Sequence, residues 1–261
     1  MRHALIVTTA LLAGVAYGGD ALPTLMPAEP ELDATTIVQR AHDAAGGAQW
    51  VRPVSLSLSG YAVFYRDGVA ARHERHNMWR IYDSGKRQAH RADGKVRIES
   101  IREGDAVINL SFDGQFTYTP AGRSEPTIGD SRWSSSFGFG VIRHALDEGY
   151  LLQRLPDDLV DGRAAYVVNV LDPYGGETRF AIAHDDYAVV RVGFDTPRGW
   201  HERIYSDFFS NEGERWRQPA RVRLYYDGIK ANEVIWTAYA INETLPDCLF
   251  VLPEADDCRD D

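Results

Sequence analysis

The stretch VSLSLSGYAVFY, residues 54–65, determines the class of fold. Apolar residues from Leu56 to Phe64 fall on one side of an extended chain, and serines alternate with them in its first half. Alternation with a period of two is typical of a half-buried β-strand. Asp67-Gly68 follows directly and favours a type I′ turn, which needs positive φ at both central residues. This stretch therefore predicts a long strand that leads into a hairpin.

The same pattern extends outward along most of the chain. Further Asp-Gly pairs stand at 93–94, 113–114, 161–162 and 227–228. Further alternating runs lie at 71–82, 95–101, 105–112, 115–119, 164–171, 178–184, 187–194, 201–209, 220–227 and 232–241. About ten or eleven strands joined by short turns indicate an antiparallel meander. A sheet that large must curl or close, so we expect a mainly β protein with minor α. Its sheet would be curled, or a half-open β-barrel, wrapped over one or two helices.

Two helices are expected. Asp33 is a suitable N-cap, apolar residues follow at helical spacing over 34–45, and Gly46-Gly47 ends the run. A second, short helix is predicted at about 140–148. The segment 137–148 has an apolar side and could act as a lid or plug over a cavity.

The first residues indicate export. Arg2 and His3 precede a short apolar run and then small residues, the pattern of a secretory signal peptide. We expect a signal peptide at 1–18, with an uncleaved anchor as the alternative. An extended lead at 19–32, a single β domain at 33–253 and an acidic tail at 254–261 would follow.

Cys248 and Cys258 are the two cysteines of the chain. In an exported protein an even number of cysteines favours a disulfide. The bridge would close a short loop near the C-terminus.

Composition and motifs exclude several functions. A net charge of −10 with no basic patch makes nucleic acid an improbable partner. A G-x-S-x-G nucleophile elbow is absent from the sequence. His73 and His76 are three apart in a predicted strand, which would place them on opposite faces, so no metal site is expected. Gly138-Phe139-Gly140 lacks the flanking strand and the remaining glycines of a dinucleotide site, so no cofactor is expected.

Large aromatic and apolar side chains are the remaining candidates for a site. They would line a cavity or form the lid, although for each of them ordinary core packing is the alternative. The candidate ligand-binding residues are Trp79, Phe112, Phe116, Phe137, Phe139, Ile142, Phe180 and Trp236.

Several short patterns are distributed along the chain. In the C-terminal third they are Tyr205-Ser206-Asp207-Phe208, Gly213, Gln218-Pro219, Asp227-Gly228, Ile241-Asn242 and Leu249 to Pro253; earlier ones are Gly46-Gly47, Trp50, Gly60 and Asp161-Gly162-Arg163. Together these patterns resemble the LolA/LolB-like superfamily of bacterial periplasmic lipoprotein carriers. The resemblance covers roughly residues 33–253. It implies a half-open barrel over helices, an apolar cavity for acyl chains, and a location in the periplasm of a Gram-negative bacterium.

Three functions remain open from the sequence. The first is a periplasmic binding protein or carrier for a lipid, acyl chain or other apolar ligand. The second is an envelope sensor or scaffold that binds another protein. The third is an enzyme with an acid or base buried in the cavity, because a fold does not fix a function.

Overall fold

One antiparallel sheet organises the structure, which is a computed structural model. It describes residues 32–83, 94–124, 133, 138–253 and 258, with the backbone alone at 138 and 139. From Leu32 onward the chain forms one unit. The expected signal peptide, nearly all of the lead and most of the acidic tail lie outside the described residues.

The sheet has thirteen strands among these residues. They are β1 Ser55–Arg66, β2 Val69–Ile81, β3 Lys95–Arg102, β4 Asp105–Phe112, β5 Thr117–Thr119, β6 Gly122–Arg123, β7 Leu151–Val160, β8 Arg163–Leu171, β9 Glu177–Ala183, β10 Val189–Thr196, β11 Gly199–Phe209, β12 Gln218–Tyr226 and β13 Ile229–Ile241. Their order is β6-β5-β4-β3-β2-β1-β13-β12-β11-β10-β9-β8-β7. Because β6 and β7 are the two edges, the sheet does not close into a barrel. The predicted curled antiparallel sheet is confirmed.

Three of the predicted Asp-Gly hairpins have the expected backbone. Both residues of Asp67-Gly68, Asp161-Gly162 and Asp227-Gly228 have positive φ. This geometry matches the right-handed twist of the strands on either side.

Three α-helices and one 3₁₀ helix accompany the described part of the sheet. They are α1 Ala34–Ala45, α2 Ala48–Val51, α3 Gly138–His144 and a 3₁₀ turn at Asp247–Phe250. The Asp33 side chain accepts a 2.7 Å hydrogen bond from the Thr36 amide, so the predicted N-cap is confirmed. Helix α3 begins and ends earlier than the predicted 140–148. It ends at His144 because the Ala145 and Asp147 amides bond to carbonyls three residues back and tighten the chain into turns. None of the described helices is long and apolar enough to cross a membrane.

The inner face of the sheet is the face that packs on α1. Ile37, Val38 and Ala41 of this helix are fully buried there. The main core also contains Val168, Val192 and other inward residues of the central strands.

Strand β7 was missed by the sequence analysis because Pro156 interrupts it. Proline lacks a ladder donor and is confined to edge strands and bulges. Both conditions hold here: β7 is an edge strand, and its pairing with β8 shifts register between Leu155 and Asp158.

The predicted orientation of His73 and His76 was wrong. On β1, Gly60 pairs with His76 and Ala62 pairs with His73, so β2 has one extra residue opposite Tyr61. This bulge reverses the alternation of β2. Both histidines consequently lie on the inner face, where they are 8% and 7% exposed.

The C-terminal segment covers part of the outer face. The Ser111 hydroxyl donates to the Phe250 carbonyl at 2.8 Å, and the buried guanidinium of Arg97 reaches the Leu249 carbonyl. The predicted disulfide between Cys248 and Cys258 is present, with Cα atoms 6.1 Å apart. It ties residue 258 back to this covering segment.

Candidate functional site

A cavity of about 440 Å³ opens on the inner face of the sheet. Its walls come from β1 to β4 on one side and β11 to β13 on the other, with α2 and α3 at one end. Much of the wall is aliphatic: Leu56, Leu58, Met78, Ile98, Val222, Leu224 and Val234. Alternation in each strand directs these side chains inward together.

Of the predicted ligand-binding residues, Trp236 lines this cavity. Its indole stacks on the His76 ring, with centroids 5.3 Å apart. Ile142 and Phe180 are both fully buried in the main core instead. An inward position in the sequence pattern therefore does not distinguish a packed residue from one that borders open space.

The other predicted residues lie elsewhere. Trp79 alternates with the cavity residue Met78 and faces outward, where the Arg97 guanidinium lies 5.8 Å from its ring. Phe112 packs with Val96 and Trp133 in a small separate cluster. Phe116 lies beneath the guanidinium of Arg123.

The lid prediction can be placed only in part. Phe137 and the side chain of Phe139 are outside the described residues. The end of the predicted segment is anchored: the Arg52 guanidinium donates to both carboxylate oxygens of Asp147, at 2.7 and 2.9 Å. His144 Nδ1 lies 2.9 Å from the same carboxylate.

The contacts of Asp147 change the pKa of its carboxyl group. Partial burial acts to raise the pKa of Asp147, but hydrogen bonds from His144 and Arg52 outweigh it and lower the pKa. His42 of α1 also hydrogen-bonds to the Ile142 carbonyl of α3, at 2.7 Å. These contacts tie the residues that follow α3 to Arg52 at the end of α2, and α3 itself to α1.

His76 lines the cavity, and His73 lies beside it on the inner face of the sheet. Nδ1 of His73 and Nδ1 of His76 lie 2.8 and 3.0 Å from the Ser100 hydroxyl. Phe64 packs on His73 with centroids 4.5 Å apart. Burial chiefly, with a smaller contribution from the nearby His73, lowers the pKa of His76 to about 4. Both rings are therefore neutral at pH 7, since burial lowers the pKa of His73 as well.

Four arginines bring positive charge to the cavity. Arg80, Arg143, Arg198 and Arg203 all line it. The described lining residues include no carboxylate. In the same wall, burial raises the pKa of Tyr205 and keeps its hydroxyl protonated. The cavity thus combines aliphatic walls with positive charge.

Arg143, from the last turn of α3, occupies an aromatic cage at the helical end of the cavity. Its guanidinium carbon is 4.8 Å from the Trp50 ring, 4.9 Å from Tyr82 and 5.5 Å from Trp216. The sequence analysis missed this residue because its cage comes from segments far apart in the chain. Within the described residues no three histidine, cysteine or acidic side chains cluster as metal ligands.

The geometry can be compared with known proteins. The sequence matches no protein-family model and no curated protein. Solved structures do match. The chain has a LolA-like fold. A LolA superfamily protein from Nitrosomonas europaea superposes with a TM-score of 0.52 at 14% identity, over 84% of this chain and 97% of that one.

Two further structures have similar folds. One is a domain from Vibrio parahaemolyticus named for outer membrane lipoprotein sorting, with a TM-score of 0.51, 12% identity, and coverage of 82% of this chain and 94% of that one. The other is a DUF1329 family protein from Desulfovibrio piger, with a TM-score of 0.50, 14% identity, and coverage of 83% and 96%. Identity this low establishes shared architecture and leaves function to the site itself.

Proposed function

We propose that this protein is a periplasmic binding protein or carrier that holds a lipid, an acyl chain or another apolar ligand in the cavity. The observation that carries the proposal is the cavity itself: about 440 Å³ bounded largely by aliphatic and aromatic side chains. That volume falls in the usual range of small-molecule sites. The resemblance to periplasmic lipoprotein carriers supports the class of ligand and the location.

Burial of an acyl chain gives enough driving force for such a role. Each methylene transferred from water contributes about 0.8 kcal/mol, so ten methylenes contribute roughly 8 kcal/mol. Loss of translational and rotational freedom offsets part of this gain. A single chain would therefore bind with moderate affinity, which suits a carrier that must also release its ligand.

A cavity-filling variant tests the proposal. Val222 lines the cavity, whereas Val69 on the β1–β2 hairpin is 69% exposed. We expect Val222→Trp to lose most of the fluorescence enhancement of the neutral apolar probe Nile red. The matched Val69→Trp variant should bind the probe as the parent does. Equal binding by both variants, with unchanged circular dichroism, would refute the cavity as the binding site.

Native mass spectrometry of protein purified from its own envelope, alongside solvent extraction, would identify the natural ligand. A stoichiometric lipid or apolar metabolite supports the carrier proposal. An empty cavity together with one stoichiometric protein partner would instead support a sensor or scaffold. The exposed side chains of Leu151 and Leu159 on edge strand β7 favour that second function.

A further inference from the structure

The Arg143 cage places a permanent positive charge in the cavity wall, and a wholly apolar ligand would not interact favourably with that charge. Arg143 is 6% exposed, and an arginine remains charged even when buried. Its Nε and Nη1 atoms are buried without a hydrogen-bond partner in the described part of the chain. Such orphaned donors are rare in native proteins and call for a specific explanation.

The aromatic rings compensate the charge only in part. The faces of Trp50, Tyr82 and Trp216 attract the guanidinium through their quadrupoles, at centroid distances from 4.8 to 5.5 Å. They contribute no lone pair in the plane of the N–H groups. The planar donor fork of Arg143 therefore retains its capacity for a carboxylate or phosphate.

The surroundings are positive rather than neutral. The guanidinium carbon of Arg80 lies 4.4 Å from the centroid of the Tyr82 ring, so this ring contacts two guanidinium groups. The carboxylate closest along the chain, Asp147, is engaged by Arg52 and His144. Arg143 and Arg52 both act to lower the pKa of His42, beneath the larger effect of its burial.

We infer that the ligand is an anionic amphiphile whose carboxylate or phosphate head binds Arg143 while its apolar chain lies along the aliphatic wall. This inference rests on the proposed function and adds the chemistry of the head group. Leu56 and Tyr82 stand at the Arg143 end of the cavity, and Phe64 stands at the hairpin end of β1. Phe64 lies eight positions beyond Leu56 along β1, or roughly 26 Å at 3.3 Å per residue. A chain of acyl length fits that direction.

Matched ligands separate the head group from the chain. Tetradecanoate, tetradecyl phosphate and tetradecanol share one alkyl chain, and each is titrated against protein loaded with Nile red at pH 7.5. We expect at least one anion to bind about tenfold or more tighter than the alcohol, the value of a charge-assisted hydrogen bond. The tighter of the two anions identifies the source as a carboxylate or a phosphate lipid.

Substitutions at Arg143 test whether this residue causes the preference for the anionic ligands over tetradecanol. Arg143→Met should remove the preference for the anion and leave the affinity for tetradecanol nearly unchanged. It should also fold, because it removes a buried charge whose Nε and Nη1 lack hydrogen-bond partners and keeps an apolar side chain of similar length. Arg143→Lys, which keeps the charge but not the fork, should retain part of the preference. Arg72→Met is the matched control, since Arg72 stacks on Tyr61 at an exposed position.

The outcomes distinguish the two proposals. Equal affinity of the parent protein for the anions and the alcohol overturns the head-group inference and leaves apolar binding intact. Survival of the preference in Arg143→Met, with the circular dichroism spectrum of the parent, overturns the assignment to Arg143. Failure of all three ligands to displace the probe overturns both the inference and the proposed function.

Discussion

Mild acid should destabilise this protein through His76. The ring is 7% exposed in the cavity wall, and burial lowers its pKa from 6.5 to about 4. The unfolded chain has the higher pKa, so it binds a proton first as the pH falls below 6.5. Protonation then favours unfolding, and stability is lost between pH 6.5 and pH 4.

The size of the effect follows from the two pKa values. Each unit of difference corresponds to about 1.4 kcal/mol, so the complete loss approaches about 3 kcal/mol. Roughly 2 kcal/mol of it has occurred by pH 5. Carboxylates with lowered pKa values, such as Asp113 and Asp147, titrate below this range. They lose their contribution only as the pH falls under about 4.

Urea unfolding followed by tryptophan fluorescence at pH 7 and pH 5 measures this loss. His76→Gln keeps a neutral hydrogen-bonding group beside Ser100 but cannot titrate. We expect the parent protein to lose about 2 kcal/mol more between the two pH values than the variant does. A difference under about 0.5 kcal/mol would show that His76 is not held neutral by burial, and the reasoning would fail.

Two further substitutions test the sheet and the covering C-terminal segment. A Cβ at Gly60 would overlap the carbonyl oxygen of Ile235 on β13, so Gly60→Ala should lower the free energy of unfolding by about 2 kcal/mol or more. The control Ser59→Ala, at the neighbouring exposed position, should change this free energy by less than about 0.5 kcal/mol. Equal effects of the two substitutions in urea titrations would contradict this account. Replacing Cys248 and Cys258 together by serine should lower the free energy of unfolding by up to about 2.5 kcal/mol, because the disulfide closes a loop of sequence separation 10. An unchanged thermal unfolding temperature would mean that this loop is already compact in the unfolded chain.

Local chemistry made much of the fold predictable. The alternation of residues 54–65 yields β1, and Asp33 with Gly46 bounds α1, because strands and capped helices carry their signals within a few residues. Strand β7 could not be predicted from such local signals. Its Pro156 argues against a central strand, and the sequence alone does not reveal that β7 is an edge.

The candidate site was less predictable than the fold. Trp236 was identified because it lies on an inward face, yet the same argument selected Phe180, which is packed in the core. The difference depends on which neighbours fill the space, and that is a non-local property. Arg143 carries no local signal at all, because Trp50 and Trp216 meet it only after the sheet has curled.

The bulge between His73 and His76 divides β2 into two halves of opposite parity. Before it the odd-numbered residues face inward, and after it the even-numbered residues do. Deletion of one residue at this point would exchange the inner and outer faces of the sheet for every residue of β2 on one side of the deletion. Homologues that differ in length should therefore vary at the hairpin tips and preserve the spacing from His73 to His76.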